Sequence, residues 1–377
     1  MTPSSLIILG SCGSVGTQAI DIAAHLGIAV EGICAHSNIA SLEAQIRRFG
    51  VKYCAVFDPI AAEQLRANTR DTNVQIFVGT DGICELIGIS RSSLVINSIV
   101  GAAGLRPTLA TIDSGKNLAL ANKESLVVAG DIVMRRAREM GVKILPVDSE
   151  HSAIWQCLVG EQLSQVRRII LTASGGPFFG KTAAEIAHFG PAEALAHPTW
   201  NMGKKISVDS ATMMNKGLEV IEAAHLFALT PEQIGVVVHR ESIVHSMVEF
   251  ADSSTKAQLS TPDMRECIQY AITHPDRLPS PVPHLDWTKI RSLTFAQPDG
   301  ESFPLLPLAF HALREGGSTP AVLNAANEAA VALFLEGKIT FGDISTLVCK
   351  AVHEHKATDN PTIEQLLDIC ENTTLSI

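Results

Sequence analysis

The run Ser5-Leu6-Ile7-Ile8-Leu9-Gly10-Ser11-Cys12-Gly13-Ser14-Val15-Gly16 begins the chain with an apolar strand, a glycine-rich loop and the start of a helix. Glycines in such a loop let the backbone approach a pyrophosphate closely, and the first N–H groups of the following helix face the anion. The spacing is G-x-x-G-x-x-G rather than G-x-G-x-x-G, and a tight strand-to-helix turn would also use glycines here. In this strand–loop–helix context, Gly10–Gly16 predicts a site for a nucleotide cofactor.

Apolar runs and helical patterns alternate through the first 148 residues. After Leu6–Leu9, the strand candidates are Ala29–Cys34, Tyr53–Phe57, Val74–Val78, Leu94–Asn97, Leu118–Ala121 and Lys143–Val147. Helical patterns between them include Gln18–His25, Ile39–Phe49, Ala61–Ala67 and Glu124–Glu139. This alternation is typical of an α/β fold with a doubly wound parallel sheet. We therefore predict a Rossmann-like, cofactor-binding domain over residues 1–148.

The pattern changes after residue 150, where a loop rich in Gly and Pro separates shorter elements. It predicts a central α+β domain over 149–273, with a helix at Ser152–Leu158, a strand at Arg168–Thr172, and consecutive antiparallel strands at Val236–His239, Ile243–Phe250 and Lys256–Leu259. Prolines at 275, 279, 281 and 283 predict an extended linker over 274–299. A C-terminal helical bundle over 300–377 is predicted from Leu305–Glu315, Thr319–Leu335, Phe341–His355 and Thr362–Ile369.

Composition excludes several classes of protein. The chain has 377 residues, 46% of them hydrophobic and 18% charged, so it can bury a large core and is not expected to be disordered. A net charge of −10 argues against a nucleic-acid partner. Eight cysteines without a C-x-x-C pair argue against a zinc site or a disulfide framework and favour a reducing compartment. Because no apolar run reaches eighteen residues, we expect a cytoplasmic protein without a membrane partner.

The end of the second predicted strand indicates which cofactor the loop would take. An NAD enzyme usually carries Asp or Glu there, which binds the ribose 2′-hydroxyl. Here the run is Cys34-Ala35-His36-Ser37-Asn38, which contains no acid. Neutral hydrogen-bonding groups would not repel a 2′-phosphate, so NADPH is favoured, although His36 and Ser37 could equally be a solvated loop.

Asp148 and Glu150 stand two residues apart at the end of the last predicted strand of the N-terminal domain. In an extended chain, residues two apart point to the same side, so both carboxylates could face one ion. Oxygen ligands suit Mg²⁺ or Mn²⁺ better than zinc. The alternative is that these residues cap the helix that begins near His151.

Glu219 supplies a third carboxylate on a predicted helix, Thr212–Phe227. Asn215 lies four residues before Glu219, and therefore on the same face of the helix. Lys216 and Glu219, three residues apart, could instead form an ordinary surface ion pair. The polar run Ser207–Gly217 nevertheless combines serine, asparagine and lysine, the residue types that hold a phosphate.

The chain resembles the 1-deoxy-D-xylulose 5-phosphate reductoisomerase family nearly from end to end. The matching runs, in the order of the family, are Gly10–Gly16, Ala121–Ser125, Pro146–Ser152, Ala173–Phe178, His197–Gly203, Ser207–Glu219, Val244–Val248, Pro262–Arg265 and Leu323–Glu328. Two positions depart from the usual residues: Cys12 replaces a frequent threonine, and His36-Ser37 replaces a frequent Gly-Lys.

The resemblance implies a role for each matched residue. It implies metal ligation by Asp148, Glu150 and Glu219, with Lys123 as a further catalytic residue. It implies substrate binding by Lys123, Ser149, Glu150, Ser174, His197, Trp200, Ser210, Asn215 and Lys216. It implies cofactor contacts at Gly10, Cys12, Gly13, Ser14, Val15, His36, Ser37, Asn38, Asn122, Glu124, Gly203 and Met264. Trp200 would lie on a mobile lid of about residues 197–204, and the molecule would be a homodimer.

The activity implied is an NADPH- and divalent-metal-dependent rearrangement and reduction. The substrate would be 1-deoxy-D-xylulose 5-phosphate and the product 2-C-methyl-D-erythritol 4-phosphate, in the non-mevalonate route to isoprenoid precursors. One alternative is another NADP-dependent reductase, such as a semialdehyde or homoserine dehydrogenase, which would explain only the N-terminal domain. The other is a non-catalytic sensor of NADP(H) and a sugar phosphate. The remaining histidines singled out by spacing are interpreted as structural: His239, His245, His353 and His355.

Overall fold

The seven strands predicted in the first 148 residues form one parallel sheet in the computed structural model, which describes residues 2–200 and 202–377. The strands are β1 (Ser5–Leu9), β2 (Ala29–Ala35), β3 (Tyr53–Val56), β4 (Gln75–Val78), β5 (Leu94–Asn97), β6 (Asn117–Leu120) and β7 (Ile144–Pro146). Their order is β4-β3-β2-β1-β5-β6-β7, and all neighbouring pairs are parallel. The predicted doubly wound fold is confirmed. Because the strand order reverses between β1 and β5, their carboxyl ends are where such a sheet binds a ligand.

One helix follows each of these strands. The helices are α1 (Ser14–Leu26), α2 (Ile39–Phe49), α3 (Pro59–Asn68), α4 (Gly79–Ile89), α5 (Leu105–Asp113), α6 (Glu124–Met140) and α7 (Ser149–Leu158). The start of α7 differs from the prediction, since the helix begins at Ser149 rather than at Ser152. Glu150 is therefore helical, and the extended geometry expected for Asp148 and Glu150 is wrong.

A second sheet has four strands and a mixed topology. Its strands are β8 (Val166–Ala173), β9 (Ile234–Val238), β10 (Val244–Phe250) and β11 (Thr255–Leu259), in the order β11-β10-β8-β9. Strand β10 is antiparallel to β8 and β11, whereas β8 and β9 are parallel. The expectation of three consecutive antiparallel strands is wrong for β9, because β8 separates it from β10. As a result, the segments that follow β8 and β9 leave the sheet at the same edge.

The rest of the chain is mainly helical. Its helices are α8 (Ala183–Ile186), α9 (Pro191–Ala194), α10 (Lys204–Ala211), α11 (Met214–Phe227), α12 (Met264–Thr273), α13 (Leu305–Glu315), α14 (Thr319–Leu335), α15 (Phe341–Glu354) and α16 (Ile363–Ser376). The single helix predicted over Thr212–Phe227 is wrong at its start, because Met213 adopts a φ of 62° and separates α10 from α11. Helix α16 continues past the predicted end at Ile369. Among the described residues, every helix is too short or too polar to span a lipid bilayer.

The described residues fall into two units. The first comprises the residues up to Ser125, Ile132–Ser152 and Asp263–Pro283, and the second comprises Leu126–Asp131, Ala153–Pro262 apart from Asn201, and His284–Ile377. Helix α12 belongs to the first unit, where it packs on α1 and buries Ile268 and Ile272 in the core of the parallel sheet. The predicted central range 149–273 includes α12, and the predicted domain boundaries remain predictions.

Candidate active site

The loop between β1 and α1 has almost no room for side chains. Gly10 has a φ of 75°, and a Cβ atom there would lie 2.7 Å from the carbonyl oxygen of Ser98. A Cβ atom on Gly16 would lie 2.1 Å from the carbonyl oxygen of Gly10. Gly13 is the N-cap of α1, and no side chain in the described part of the chain caps it. The first N–H groups of α1 therefore face a cradle of bare backbone, which suits the pyrophosphate of a dinucleotide.

The glycine packing in this loop can be tested with a matched pair of variants. We expect Gly16→Ala to lower the free energy of unfolding by about 1–3 kcal/mol, because the added methyl group overlaps the backbone. The displaced loop should weaken NADPH binding by roughly 10-fold, a loss of about 1.4 kcal/mol. Fluorescence titration with NADPH and urea unfolding measure the two effects.

The control is Gly88→Ala, an exposed position of α4 where a Cβ atom meets nothing within 4 Å. Alanine is the better helix former by about 1 kcal/mol, so this variant should be at least as stable as the parent and bind NADPH equally well. Unchanged NADPH affinity in Gly16→Ala would show that the loop does not hold the cofactor.

The loop after β2 carries neutral polar groups, as the sequence predicts. His36, Ser37 and Asn38 are exposed, and the ring of His36 stacks on Phe57 at 5.1 Å between centroids. The side chain of Asn38 accepts a hydrogen bond from the backbone N–H of Ser41 at 3.2 Å and so caps α2. The neutral loop is compatible with a 2′-phosphate.

Cys12 connects the glycine loop to this neighbouring loop. Its thiol lies 3.8 Å from the carbonyl oxygen of Asn38. Burial raises the pKa of the Cys12 thiol, and its hydrogen bonds to serine side chains only partly oppose this. Val15 and Met264 pack against the same core cluster as Cys12. The structure thus brings Met264 of α12 onto the apolar core beneath the predicted cofactor site.

Asn122 is fully engaged by its own unit. Its amide nitrogen donates to the carbonyl oxygens of Ile99 at 2.7 Å and Gly101 at 2.8 Å, and to Glu124 at 3.1 Å. Its carbonyl oxygen accepts from the backbone N–H of Ser125 at 3.0 Å. Asn122 therefore fixes the loop that follows β5, at the point where the strand order of the sheet reverses.

Asp148 lies at the carboxyl end of β7, beside Lys123. The ammonium of Lys123 is 2.6 Å from a carboxylate oxygen of Asp148, and the two side chains are only 8% and 10% exposed. Burial alone raises the pKa of Asp148, but the charge of Lys123 and the nearby ring of His151, 3.9 Å away, outweigh it and hold the pKa well below its usual range. Asp148 is therefore a carboxylate at neutral pH and an available ligand for a hard cation.

Glu150 reaches Asp148 through a turn rather than along a strand. The backbone oxygen of Asp148 accepts from the N–H of Ser152 at 2.8 Å, so Asp148 immediately precedes α7 and Glu150 lies in its first turn. One carboxylate oxygen of each residue comes within 4.8 Å of the other. The hydroxyl of the buried Ser149 donates to Glu150 at 2.5 Å. The helix start therefore still brings two carboxylates close together, and metal ligation by Asp148 and Glu150 stays a prediction.

In the second unit, Glu219 is held by its own helix. Asn215 donates to one carboxylate oxygen of Glu219, and Lys216 donates to the other. Lys216 and Glu219 are 4% and 1% exposed, so they are not the ordinary surface ion pair considered from the sequence. Helix α11 thus presents a buried carboxylate and a buried ammonium from its first two turns.

A second glycine turn in the same unit brings three predicted substrate residues together. Gly176 has a φ of 65°, and a Cβ atom there would lie 2.6 Å from the carbonyl oxygen of Ser210. The hydroxyl of Ser174 lies 2.9 Å from Nε2 of His197. Ser174 and Ser210 therefore flank one close backbone contact, with Lys216 of α11 following Ser210 after a short turn.

His197 also organises the segment predicted as a lid. Its Nδ1 atom accepts hydrogen bonds from the backbone N–H groups of Thr199 at 3.2 Å and Trp200 at 2.9 Å. Gly203 is an exposed N-cap of α10. Asn201, which falls inside the predicted lid, lies outside the described residues.

The sequence predicts a structural role for His245, but its surroundings make it a candidate for the site. Its ring centroid is 6.4 Å from that of Trp200, and its buried Nε2 atom has no hydrogen-bond partner among residues 2–200 and 202–377. Burial, helped by the charge of Lys216 and opposed in part by backbone hydrogen bonds, lowers the pKa of His245 to about 4, so the ring is neutral. Only its neighbours in space distinguish it from a core histidine of β10. The rings of His239, His353 and His355 each form a hydrogen bond within their own unit, and their structural role stays a prediction.

Comparisons with known proteins identify one family. A family model described as "1-deoxy-D-xylulose 5-phosphate reductoisomerase" matches residues 6–130. A model of the C-terminal domain of the same enzyme matches residues 144–227, and a further "DXP reductoisomerase C-terminal domain" matches residues 259–374.

Curated relatives and solved structures agree with the family models. The 1-deoxy-D-xylulose 5-phosphate reductoisomerase of Acetivibrio thermocellus is 53% identical over 96% of this chain and 95% of its own length. The enzyme of Chloroherpeton thalassium is 48% identical over 98% of this chain and 96% of its own. The enzyme of Zymomonas mobilis, solved with NADPH, has a TM-score of 0.92 at 41% identity, covering 99% of this chain and 97% of that one. A DOX-P reductoisomerase with NADPH, fosmidomycin and magnesium has a TM-score of 0.94 at 38% identity, with the same coverage.

Proposed function

This chain belongs to the 1-deoxy-D-xylulose 5-phosphate reductoisomerase family, and we propose that it converts that sugar phosphate to 2-C-methyl-D-erythritol 4-phosphate with NADPH and a divalent metal. The observation that carries the proposal is the ionised Asp148 beside Lys123 and Glu150, at the carboxyl end of a strand of the cofactor-binding sheet. An ordinary NADP-dependent dehydrogenase has no need for paired, partly buried carboxylates at that place. The step belongs to the synthesis of isoprenoid precursors.

The donor atoms fit the two groups that the reaction requires. Asp148, Glu150 and Glu219 would hold Mg²⁺ or Mn²⁺, because all three supply carboxylate oxygen. Gly10–Gly16 would hold the pyrophosphate of NADPH, and His36–Asn38 would meet its 2′-phosphate. When bound, the metal polarises a carbonyl group as a Lewis acid and NADPH supplies a hydride.

The protein's own groups bind and orient the substrate. Lys123 keeps Asp148 ionised, and its ammonium would also donate to the substrate's oxygens. Ser174, Ser210 and Asn215 offer neutral donors to the phosphate, and Lys216 offers a charge. A phosphate remote from the reacting carbons fixes the orientation of the substrate before any bond changes.

The lid segment would exclude water during the rearrangement. His197 holds the backbone of Trp200, and the Trp200 ring faces His245. A closed aromatic cover keeps the reacting fragments from escaping and strengthens every polar contact beneath it.

The wider organisation completes the proposal. We infer a cofactor-binding domain over 1–148, a catalytic domain over 149–273, a linker over 274–299 and a helical bundle over 300–377. We also infer that the protein forms a homodimer. The eight free cysteines are consistent with a location in the reducing cytoplasm.

The deciding experiment follows the absorbance of NADPH with the purified protein, 1-deoxy-D-xylulose 5-phosphate and Mg²⁺ or Mn²⁺. We expect oxidation that stops with EDTA, returns when metal is restored, and yields 2-C-methyl-D-erythritol 4-phosphate by mass spectrometry. Oxidation that persists in EDTA would favour another NADP-dependent reductase. Tight binding of both ligands by folded protein without oxidation would instead favour a sensor.

A further inference from the structure

Arg240 bridges two carbonyl groups of the turn that carries Ser174. The residue follows β9, the parallel neighbour of β8, so it emerges beside the loop that leaves β8. One guanidinium nitrogen of Arg240 donates to the carbonyl oxygens of Ser174 at 2.8 Å and Gly176 at 2.6 Å. The guanidinium also lies over the ring of Phe179, 5.2 Å from its centroid. Arg240 thus closes the turn from behind without being part of it.

The turn needs such a brace because its backbone conformation is uncommon. Gly175 and Gly176 have φ values of 76° and 65° in succession. Two consecutive glycines can adopt many backbone conformations in the unfolded chain. Ordering the turn therefore costs more conformational entropy than ordering a turn of other residues. A charged donor that bonds to the carbonyl on each side of Gly175 restricts those alternatives.

Within the braced turn, His197 and the N–H of Gly176 contact the Ser174 hydroxyl. Nδ1 of His197 accepts two backbone N–H groups, so the neutral ring carries its proton on Nε2 and donates it to the Ser174 oxygen. The N–H of Gly176 approaches the same oxygen at 3.2 Å. With two donors on its oxygen, Ser174 has its own hydroxyl hydrogen left to donate, and no described residue accepts it. An anion facing the turn would.

The charge of Arg240 also acts on His197. Burial, followed by the positive charge of Arg240, lowers the pKa of His197 to about 4. A protonated ring could not accept at Nδ1 and would release the backbone of Trp200. Arg240 therefore favours the one state of His197 that holds both Ser174 and the start of the lid segment.

We propose that Arg240 is a positioning residue for phosphate binding: its guanidinium holds the Ser174–Gly176 turn so that the Ser174 hydroxyl donates to the substrate's phosphate. This inference rests on the proposed function. It assigns Arg240 to the binding of the sugar phosphate and not to the chemical step, because Arg240 acts through Ser174 and His197.

The test compares Arg240→Met with the parent enzyme in the steady state. A hydrogen bond to a charged group is worth a factor of about 10 to 100, so we expect the KM for 1-deoxy-D-xylulose 5-phosphate to rise about 10- to 100-fold. The kcat should stay within about 3-fold, because a remote contact is present in both the ground and transition states. The KM for NADPH should not change. Calorimetric titration of the substrate with Mg²⁺, without NADPH, should show the same loss of affinity.

Three further variants separate positioning from general stability. Arg240→Lys keeps a charged donor and should recover part of the lost affinity. Phe179→Leu removes the stacked ring but not the bridge, and should leave the KM within about 3-fold. Arg314→Met removes a cation from the face of Phe310, 5.8 Å away, in the same unit, and should leave both constants unchanged.

The outcomes distinguish this inference from the proposed function. If the parent enzyme oxidises NADPH with substrate and metal but Arg240→Met keeps its KM, the inference fails and the function stands. If Arg240→Met lowers kcat and the unfolding temperature with no change in KM, Arg240 is only structural and the inference also fails. If the parent enzyme is inactive with both metals, the proposed function itself fails.

Discussion

Asp148→Asn is expected to reduce kcat by about 1,000-fold at saturating substrate and Mg²⁺, the largest effect we predict for a single change. Asparagine keeps the volume of Asp148 but removes the charge that would hold the cation and that now balances Lys123. Loss of a correctly placed Lewis acid costs several kcal/mol of transition-state stabilisation, and each 1.4 kcal/mol is about 10-fold in rate. Binding of NADPH should change little, because the Gly10–Gly16 loop is not altered.

The measurement is single-turnover and steady-state oxidation of NADPH across a Mg²⁺ titration. Asp113→Asn is the matched control, since Asp113 lies 2.6 Å from Arg136 in an ion pair whose side chains are 43% and 42% exposed. An exposed pair contributes at most about 1 kcal/mol, so this variant should keep full activity. Full turnover by Asp148→Asn at saturating metal would remove Asp148 from the proposed metal site.

Lys216→Met is expected to raise the KM for the sugar phosphate by about 100- to 1,000-fold. Removing one member of a buried, hydrogen-bonded charge pair costs about 2–5 kcal/mol of binding free energy. Lys216 is only 4% exposed, so its pairing with a phosphate would belong to this class. The change also takes a hydrogen bond from the Glu219 carboxylate, so the apparent metal affinity should fall in parallel. Calorimetric titration of the substrate and a Mg²⁺ activation curve measure the two effects separately.

Lys289→Met gives the comparison for Lys216. Lys289 pairs with Asp286 at the same three-residue spacing, 3.0 Å apart, but its side chain is 83% exposed. We expect no change in KM there. Equal effects of the two variants, or a KM unaffected by Lys216→Met in correctly folded protein, would show that Lys216 does not bind the phosphate.

The parallel sheet was predictable because its strands are buried on both faces and lie between clear helical patterns. Runs such as Leu94–Asn97 are short, continuous and apolar, which fixes their ends closely. The second sheet was less predictable. Strand pairing depends on contacts far apart in sequence, and nothing local to β9 indicates that β8 separates it from β10.

In the site, too, the residues with a local sequence signal were predictable, and those that depend on contacts distant in sequence were not. Carboxylates and glycines of the site can be recognised from their residue type and spacing, and the family resemblance implies their roles. The start of α7 at Ser149 was missed because Asp148 and Glu150 suit a strand end and a capped helix equally well. Arg240 and His245 were missed for a different reason, since their significance comes only from the turn and the ring beside them in space.

Helix α12 has a consequence for how the protein is made. The core of the cofactor-binding sheet includes Ile268 and Ile272, which the ribosome adds more than a hundred residues after β7. The sheet therefore leaves the exit tunnel with part of its apolar surface still uncovered, and must wait while most of the second unit is synthesised. Folding of the two units has to overlap in time, and a fragment that ends at residue 148 lacks a piece of its own interior.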